Sequence, residues 1–144
     1  MPMPDAQSAD FAVGQQFTGL LAEDLSRPHI AQYAGASGDF NRVHVDEAFA
    51  TQKAGRDAVI AHGMFTMGLT ASFITSLIGP ATLRSFGGRF LAAVVPGDTL
   101  MCVVTVAAVD RDPDGPNVTF QVETTARGRS PVFAGSAVAR FRGD

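Results

Sequence analysis

The sequence predicts an α+β domain in which a curved antiparallel sheet wraps around one long central helix. Three observations carry this. No charged residue lies between Asp57 and Arg84, and a helix over residues 62–78 would carry Met64, Phe65, Met67, Leu69, Phe73, Ile74, Leu77 and Ile78 around its whole circumference. Such a helix needs cover on most sides, which a wrapped sheet supplies. Beyond it, Val118, Phe120 and Val122 alternate with Thr119, Gln121 and Glu123, the period of a half-buried strand. The last runs are joined by short turn signals, which implies antiparallel pairing.

The elements follow in order. Phe17–Leu21 reads as a short first strand. Ser26 is a helix N-cap, with Pro28 tolerated in the first turn and the helix running to Tyr33 or Ala34. Gly35 reads as its stop. Residues 37–41 are loop by composition. Asp46 caps a short helix to Lys53, ended by Gly55. After the central helix, a strand spans Leu83 to Val94 and stops at Pro96-Gly97-Asp98. The Val- and Thr-rich run from Thr99 to Val109 is the next strand. The Asp112–Pro116 turn leads to the alternating strand, and Arg127–Ser130 turns into a last strand from Pro131 to Phe141.

Bulk properties exclude several classes. The 144 residues suffice for one domain with a real core, and 46% hydrophobic with 17% charged residues is globular rather than disordered. The net charge of -3 and the lack of a Lys/Arg cluster argue against nucleic acid or an anionic membrane as partner. Thr66, Gly68, Thr70, Ser72, Thr75 and Ser76 interrupt the charge-free stretch, and Gly79-Pro80 ends it, so it falls short of a membrane span of about 18 or more apolar residues. Residues 1–10 lack the basic and apolar regions of a secretory signal. Pro2, Pro4, Asp5 and Ser8 suit a flexible arm over 1–12, leaving 13–144 as the domain. Cys102 is the one cysteine. It lies in the Val-rich run and reads as a buried structural thiol, and the composition fits a reducing cytoplasm.

Two segments carry candidate chemistry. Asp39-Phe40-Asn41-Arg42-Val43-His44-Val45-Asp46 gathers two carboxylates, an amide and an imidazole in a connection between short helices, where function commonly sits. Asp39 and His44, five positions apart, converge if the segment curls. Ala61-His62-Gly63-Met64 opens the central helix, whose first N–H groups lack partners and carry partial positive charge. Gly63 has no side chain to hold a ligand off, so its N–H suits an oxyanion. Plainer readings stand beside these. Asp46 is a cap, Asn41 a left-handed turn residue, His44 a solvated loop histidine, His62 a structural hydrogen-bonding residue, and His29 a surface residue. His44, Asp46 and His62 are usable metal ligands, but no paired Cys and no His-x3-His spacing joins them, and no metal is expected.

The two motifs, Ser37-Gly38-Asp39-Phe40-Asn41-Arg42-Val43-His44-Val45-Asp46 and Ile60-Ala61-His62-Gly63-Met64, resemble the signature of the MaoC-like hot-dog family, which includes (R)-specific enoyl-CoA hydratases and (3R)-hydroxyacyl-thioester dehydratases. Gly88-Arg89-Phe90-Leu91 and Val94-Val95-Pro96-Gly97-Asp98 resemble its later strand and turn, so the likeness runs from Phe17 to Phe141. It implies a hot-dog fold and reversible hydration of enoyl thioesters of CoA or a carrier protein. Asp39 and His44 would hold the water, Asn41 would orient them, and Gly63 would supply the oxyanion donor. His62, Met64 and Phe65 are the candidate substrate contacts. No cofactor is implied, and a homodimer is expected. The family's proline after the Asn is here Arg42, which puts the loop's stiffness in question and adds a cation. Two other readings share the fold: a non-catalytic subunit of a heterodimeric dehydratase, and an acyl-CoA thioesterase. Retention of Asp39, Asn41 and His44 counts against the first. The absence of a carboxylate from the central helix counts against the second.

Overall fold

A computed structural model describes residues 6–80 and 82–142. After a 3-10 turn at Ser8–Asp10 come β1 (Gln16–Ala22), α1 (Arg27–Ser37), α2 (Arg42–Val45), α3 (Glu47–Gln52), α4 (Gly63–Ile78), β2 (Leu83–Phe90), β3 (Leu100–Asp110), β4 (Asn117–Ala126) and β5 (Pro131–Arg140). The strands form one antiparallel sheet in the order β1-β3-β4-β5-β2. Register shifts interrupt all four pairings, at Leu20/Ala22, Leu83/Ser85, Val106/Ala108 and Thr124/Thr125. Such irregularities bend strands and increase twist, and the bent sheet curls around α4, which touches β1, β2, β3 and β5. This is the hot-dog architecture.

The alternation read from the sequence decides what faces α4. Val118, Phe120, Val122, Thr124 and Ala126 of β4 are all buried, as are Cys102, Val104 and Val106 of β3. One core cluster joins these strands to Ile74, Leu77 and Ile78 at the end of α4, and a second joins Leu25, Ile30, Ala61, Val94, Leu100, Ala126 and Val132 near its start. Thr66, Thr70 and Thr124 are buried too. Thr70 Oγ1 donates to the Thr66 carbonyl at 2.9 Å and lies 2.8 Å from Thr124 Oγ1, so these hydroxyls satisfy one another, as buried polar groups must. Cys102 is fully buried, and burial pushes its thiol up to about 11.

Four expectations change. Gly35 does not stop α1. The helix continues to Ser37, and Gly38, at φ 74°, caps it with its N–H on the Ala34 carbonyl at 3.0 Å. Buried Ile30 and Ala34 hold the helix against the core through the first glycine, and only the second takes the left-handed conformation that glycine permits. The strand expected to reach Val94 ends at Phe90: Leu91 N–H still reaches Val132 of β5 at 2.8 Å, but the chain then turns away and gives its Val94 carbonyl to Ala61 N–H at 2.8 Å. The polar N-terminal segment includes Phe11, which is 1% exposed and packs edge-on to Phe17 and Phe120; residues 1–5 of that arm lie outside the described residues. Finally, α4 is not covered all round. Met64, Gly68 and Ser72, a stripe at i, i+4 and i+8, face outward. No helix among the described residues is long and apolar enough to cross a membrane.

Candidate active site

Local chemistry shapes the loop that follows α1. Ser37 Oγ accepts the Asp39 N–H and Asp39 Oδ1 accepts the Asn41 N–H, both at 3.2 Å. Such short side-chain-to-backbone bonds offer the chain an alternative to helix. Asn41, at φ -53° and ψ 127°, is not left-handed. It is the N-cap of α2, its Oδ1 accepting the Val43 N–H at 3.2 Å. The segment expected to be non-helical therefore contains one helical turn, and His44 stands on it. Asp46 Oδ1 then accepts the Phe49 N–H at 3.0 Å and caps α3, as the sequence indicated. That bond, reinforced by Arg42, holds the Asp46 carboxyl below the ordinary carboxylate range. Arg42 binds Asp46 Oδ2 at 2.8 and 3.0 Å and lies 4.6 Å from the Phe49 ring centroid, so it staples α2 to α3 rather than facing the cleft.

His44 turns inward, with its side chain 11% exposed. Its Nδ1 sits 2.7 Å from the Ile60 carbonyl, a group that only accepts, so the proton of the neutral ring is on Nδ1. Nε2 is left as a lone-pair nitrogen 3.9 Å from Asp39 Oδ2, and the Asp39 side chain is 53% exposed. The arrangement is a fixed imidazole base beside a carboxylate that solvent and substrate can reach. His62, the N-cap of α4, is 3% exposed. Its Nε2 donates to the Asp39 carbonyl at 2.9 Å, and its ring stacks on that of His44 with centroids 3.8 Å apart. The buried Nδ1 of His62 has no partner among the described residues, an arrangement that costs about 1–3 kcal/mol.

Gly63 is the first residue of α4, where the N–H groups have no intrahelical acceptor. A Cβ there would stand 3.0 Å from the Phe90 ring, so glycine keeps the Phe90 ring and the helix start close together. Asp39, His62, Gly63, Met64, Tyr33, Ser37 and Phe90 line a cleft of about 310 Å³. Gly63 and Phe90 also border a second hollow of about 470 Å³ beside Ile60, Thr66 and Val94. A larger trough of about 910 Å³ lies on the other face of the sheet, along Gln121, Glu123 and Ser136, and holds no comparable acid and base. Met64, 56% exposed, is open to the first cleft. His62 is nearly closed off from it, and Phe65 stacks on Tyr33 at 4.9 Å in the second core cluster.

One ligand atom each of Asp39, His44 and His62 lies within 4.8 Å of the others. The two rings are only 24° from parallel, so their in-plane lone pairs run side by side rather than converging on one ion. Asp46, a ligand candidate by residue type, is engaged with Phe49 and Arg42. Two backbone carbonyls matter here, those of Ile60 and Val94, and neither has a sequence signal, because a carbonyl has no residue-type signature. Tyr33 is silent in the sequence for a related reason: only the fold brings it to His62.

A curved sheet around one helix defines a hot-dog protein, and the imidazole and carboxylate gathered at the helix head are its candidate site. The chain belongs to the MaoC-like domain family, whose model matches residues 8–128. It is 31% identical over 142 residues to an (R)-specific enoyl-CoA hydratase of Aeromonas caviae, covering 94% of this chain and 98% of that one. It is 29% identical over 135 residues to the peroxisomal enoyl-CoA hydratase 2 of Arabidopsis thaliana, and there spans 41% of the longer protein. The unliganded R-hydratase PhaJ1 from Pseudomonas aeruginosa superposes with a TM-score of 0.79 at 25% identity, covering 99% of this chain and 88% of that one.

Proposed function

We propose that this chain is a hydro-lyase that adds water reversibly to trans-2-enoyl thioesters of CoA or a carrier protein, giving (R)-3-hydroxyacyl thioesters. The observation that carries the reading is the pairing of His44 Nε2 with Asp39 Oδ2 at 3.9 Å beside the head of α4. Two hydrogen bonds of about 2.8 Å span that separation through one water. The water oxygen bonds to C3 as its proton passes to the pair, and the pair delivers one proton to C2, so one H and one OH are added. The Ile60 carbonyl keeps His44 in the tautomer able to take that proton, and Asp39 stabilises the imidazolium that forms. Negative charge builds on the thioester oxygen, which the Gly63 N–H can receive; one such donor is worth about 3–4 kcal/mol. Asn41 serves by its backbone N–H, which holds Asp39 Oδ1. Met64 is the substrate contact we retain. No electron changes hands, so the reaction calls for no redox cofactor.

The whole machinery lies in the one domain we assign to residues 13–144. We also propose a homodimer. β2 stands at one edge of the sheet, Phe90 and Leu91 are 51% and 54% exposed, and the Met64, Gly68 and Ser72 stripe of α4 is open. A second copy would cover the edge, which a lone sheet leaves sticky. The single buried thiol suits a cytoplasmic location. The test of the activity is loss of the conjugated enoyl-thioester absorbance from crotonyl-CoA, with chiral analysis of the product. Turnover in the ordinary range of roughly 1–10³ per second giving the 3R alcohol is expected. No decay with crotonyl, octenoyl or carrier-bound substrates would overturn the reading. Sedimentation at micromolar concentration should show a dimer, and a monomer would refute that part.

A further inference from the structure

Resting on this reading of Asp39 and His44, we infer that His62 is the positioning residue of the site, tying down the Asp39 loop with one ring edge and backing the His44 imidazole with one ring face. Residues 38–41 are otherwise held by near neighbours: Gly38 by Ala34, Asp39 by Ser37, Asn41 by Asp39. The 2.9 Å bond from His62 Nε2–H to the Asp39 carbonyl spans 23 positions in sequence. Among the described residues it is the one hydrogen bond that ties this loop to a distant element. The face of the same ring lies against His44, with centroids 3.8 Å apart and planes 24° apart. His62 is held in turn by Tyr33 of α1, centroids 4.9 Å apart, and Tyr33 by Phe65 of α4, also at 4.9 Å. With Ile60 holding the outer edge of His44, the ring wedged at the start of α4 is what links the carboxylate's loop to the imidazole.

The unpartnered Nδ1 supports this role over two others. A proton shuttle would use both ring nitrogens, and a substrate contact would need an exposed one. Here Nδ1 is buried without a partner and the residue is 3% exposed. What remains useful is the Nε2–H edge and the ring face, and both are spent on the catalytic pair. The requirement is tight, since a productive constellation tolerates about 0.5 Å of misplacement.

Two substitutions separate the functions of the edge and the face. His62→Phe keeps a flat ring and loses the donor. His62→Gln keeps an amide donor toward Asp39 and loses the ring. Each is measured for kcat and KM on crotonyl-CoA and, independently of activity, for amide hydrogen exchange across residues 38–44, with circular dichroism as the check on folding. For H62F a fall of about 10²-fold in kcat is expected, the cost of a 1 Å misplacement, with KM nearly constant and faster exchange across the loop. H62Q should keep the slow exchange and lose less kcat. Near-normal kcat and unchanged exchange in H62F would overturn the inference. So would a rise in KM matching the fall in kcat, which would make His62 a substrate contact. So would faster exchange in H62Q than in H62F. Should the wild-type protein hydrate no enoyl thioester, the reading of Asp39 and His44 falls, and the exchange data alone decide whether His62 holds the loop. If H62F does not fold, H62Q decides: slow exchange with reduced kcat supports the inference, and wild-type kcat overturns it.

Discussion

Replacing Asp39 with Asn isolates the charge of the carboxylate from its shape. The substituted amide could still accept the Asn41 N–H through its oxygen, so the turn that leads into α2 should survive. Its nitrogen would take the place of Oδ2, 3.9 Å from His44 Nε2, whose lone pair serves the reaction we propose. A donor would then face the base where an acceptor now stands. Two unit charges near 4 Å interact by about 1 kcal/mol in water and about 4 kcal/mol near a protein surface. A carboxylate that is 53% exposed falls between these limits. At 1.36 kcal/mol per decade, losing stabilisation of the imidazolium costs roughly fivefold to a thousandfold. Loss of the positioned proton transfer itself is worth about 10²–10⁴-fold. The two overlap, so we expect kcat on crotonyl-CoA to fall by about 10²–10⁴-fold. Because the side chain is exposed and its turn is kept, stability should change by no more than about 0.5 kcal/mol. D39N that hydrates within a few-fold of the wild-type rate, with an unchanged melting curve, would refute the role given to Asp39.

Other consequences test the scaffold. Thr70→Val should destabilise by about 0.5–1.5 kcal/mol in urea titrations, because the buried Thr124 hydroxyl loses its 2.8 Å bond to Thr70 and keeps the Cys102 thiol as partner. Arg42→Pro should be at least as stable as Arg42→Ala by the same titration, because Asn41 already has the extended ψ of 127° that precedes proline and residue 42 opens α2; the gain of about 0.4–1 kcal/mol from a stiffer unfolded chain offsets the lost exposed ion pair. The Cys102 thiol, raised to about 11 by burial, should resist iodoacetamide at pH 8 until the protein unfolds. Since its folded value lies above its unfolded one, that contribution to stability is whole below about pH 8.5 and is lost as pH rises toward about 11. Alkaline melting of Cys102→Ala should lack this component.

What the sequence disclosed and what it withheld divide along a physical line. Ser26 and Asp46 were legible as caps because a cap is a bond to a backbone N–H three residues away, and both make that bond. The face of β4 was legible because its burial follows the period of two seen in Val118, Phe120 and Val122. Gly35 and Gly38 could not be told apart locally, since the choice between them rests on the packing of Ile30 and Ala34. The apolar run through Val94 held no sign of where β2 ends, because the chain leaves β5 after Leu91 and Val94 bonds to Ala61 instead, a tertiary hydrogen bond. The full cover expected for α4 is absent along Met64, Gly68 and Ser72, whose exposure a single chain leaves unexplained and a dimer would use.

The site shows the same division within single residues. Asn41 was legible as a loop residue, but its side chain starts α2 while its backbone serves Asp39. Arg42 stands where the family pattern has proline, and its bonds to Asp46 tie the same turn by a side chain instead of a ring. That accounts for how the loop keeps its shape without the proline. It does not fix the imidazole, which depends on Ile60 and His62 from the segment leading into α4. The loop therefore supplies the chemical groups, and the head of the central helix sets their geometry. A substitution at Arg42 should then change stability more than rate, and one at His62 should change rate more than stability.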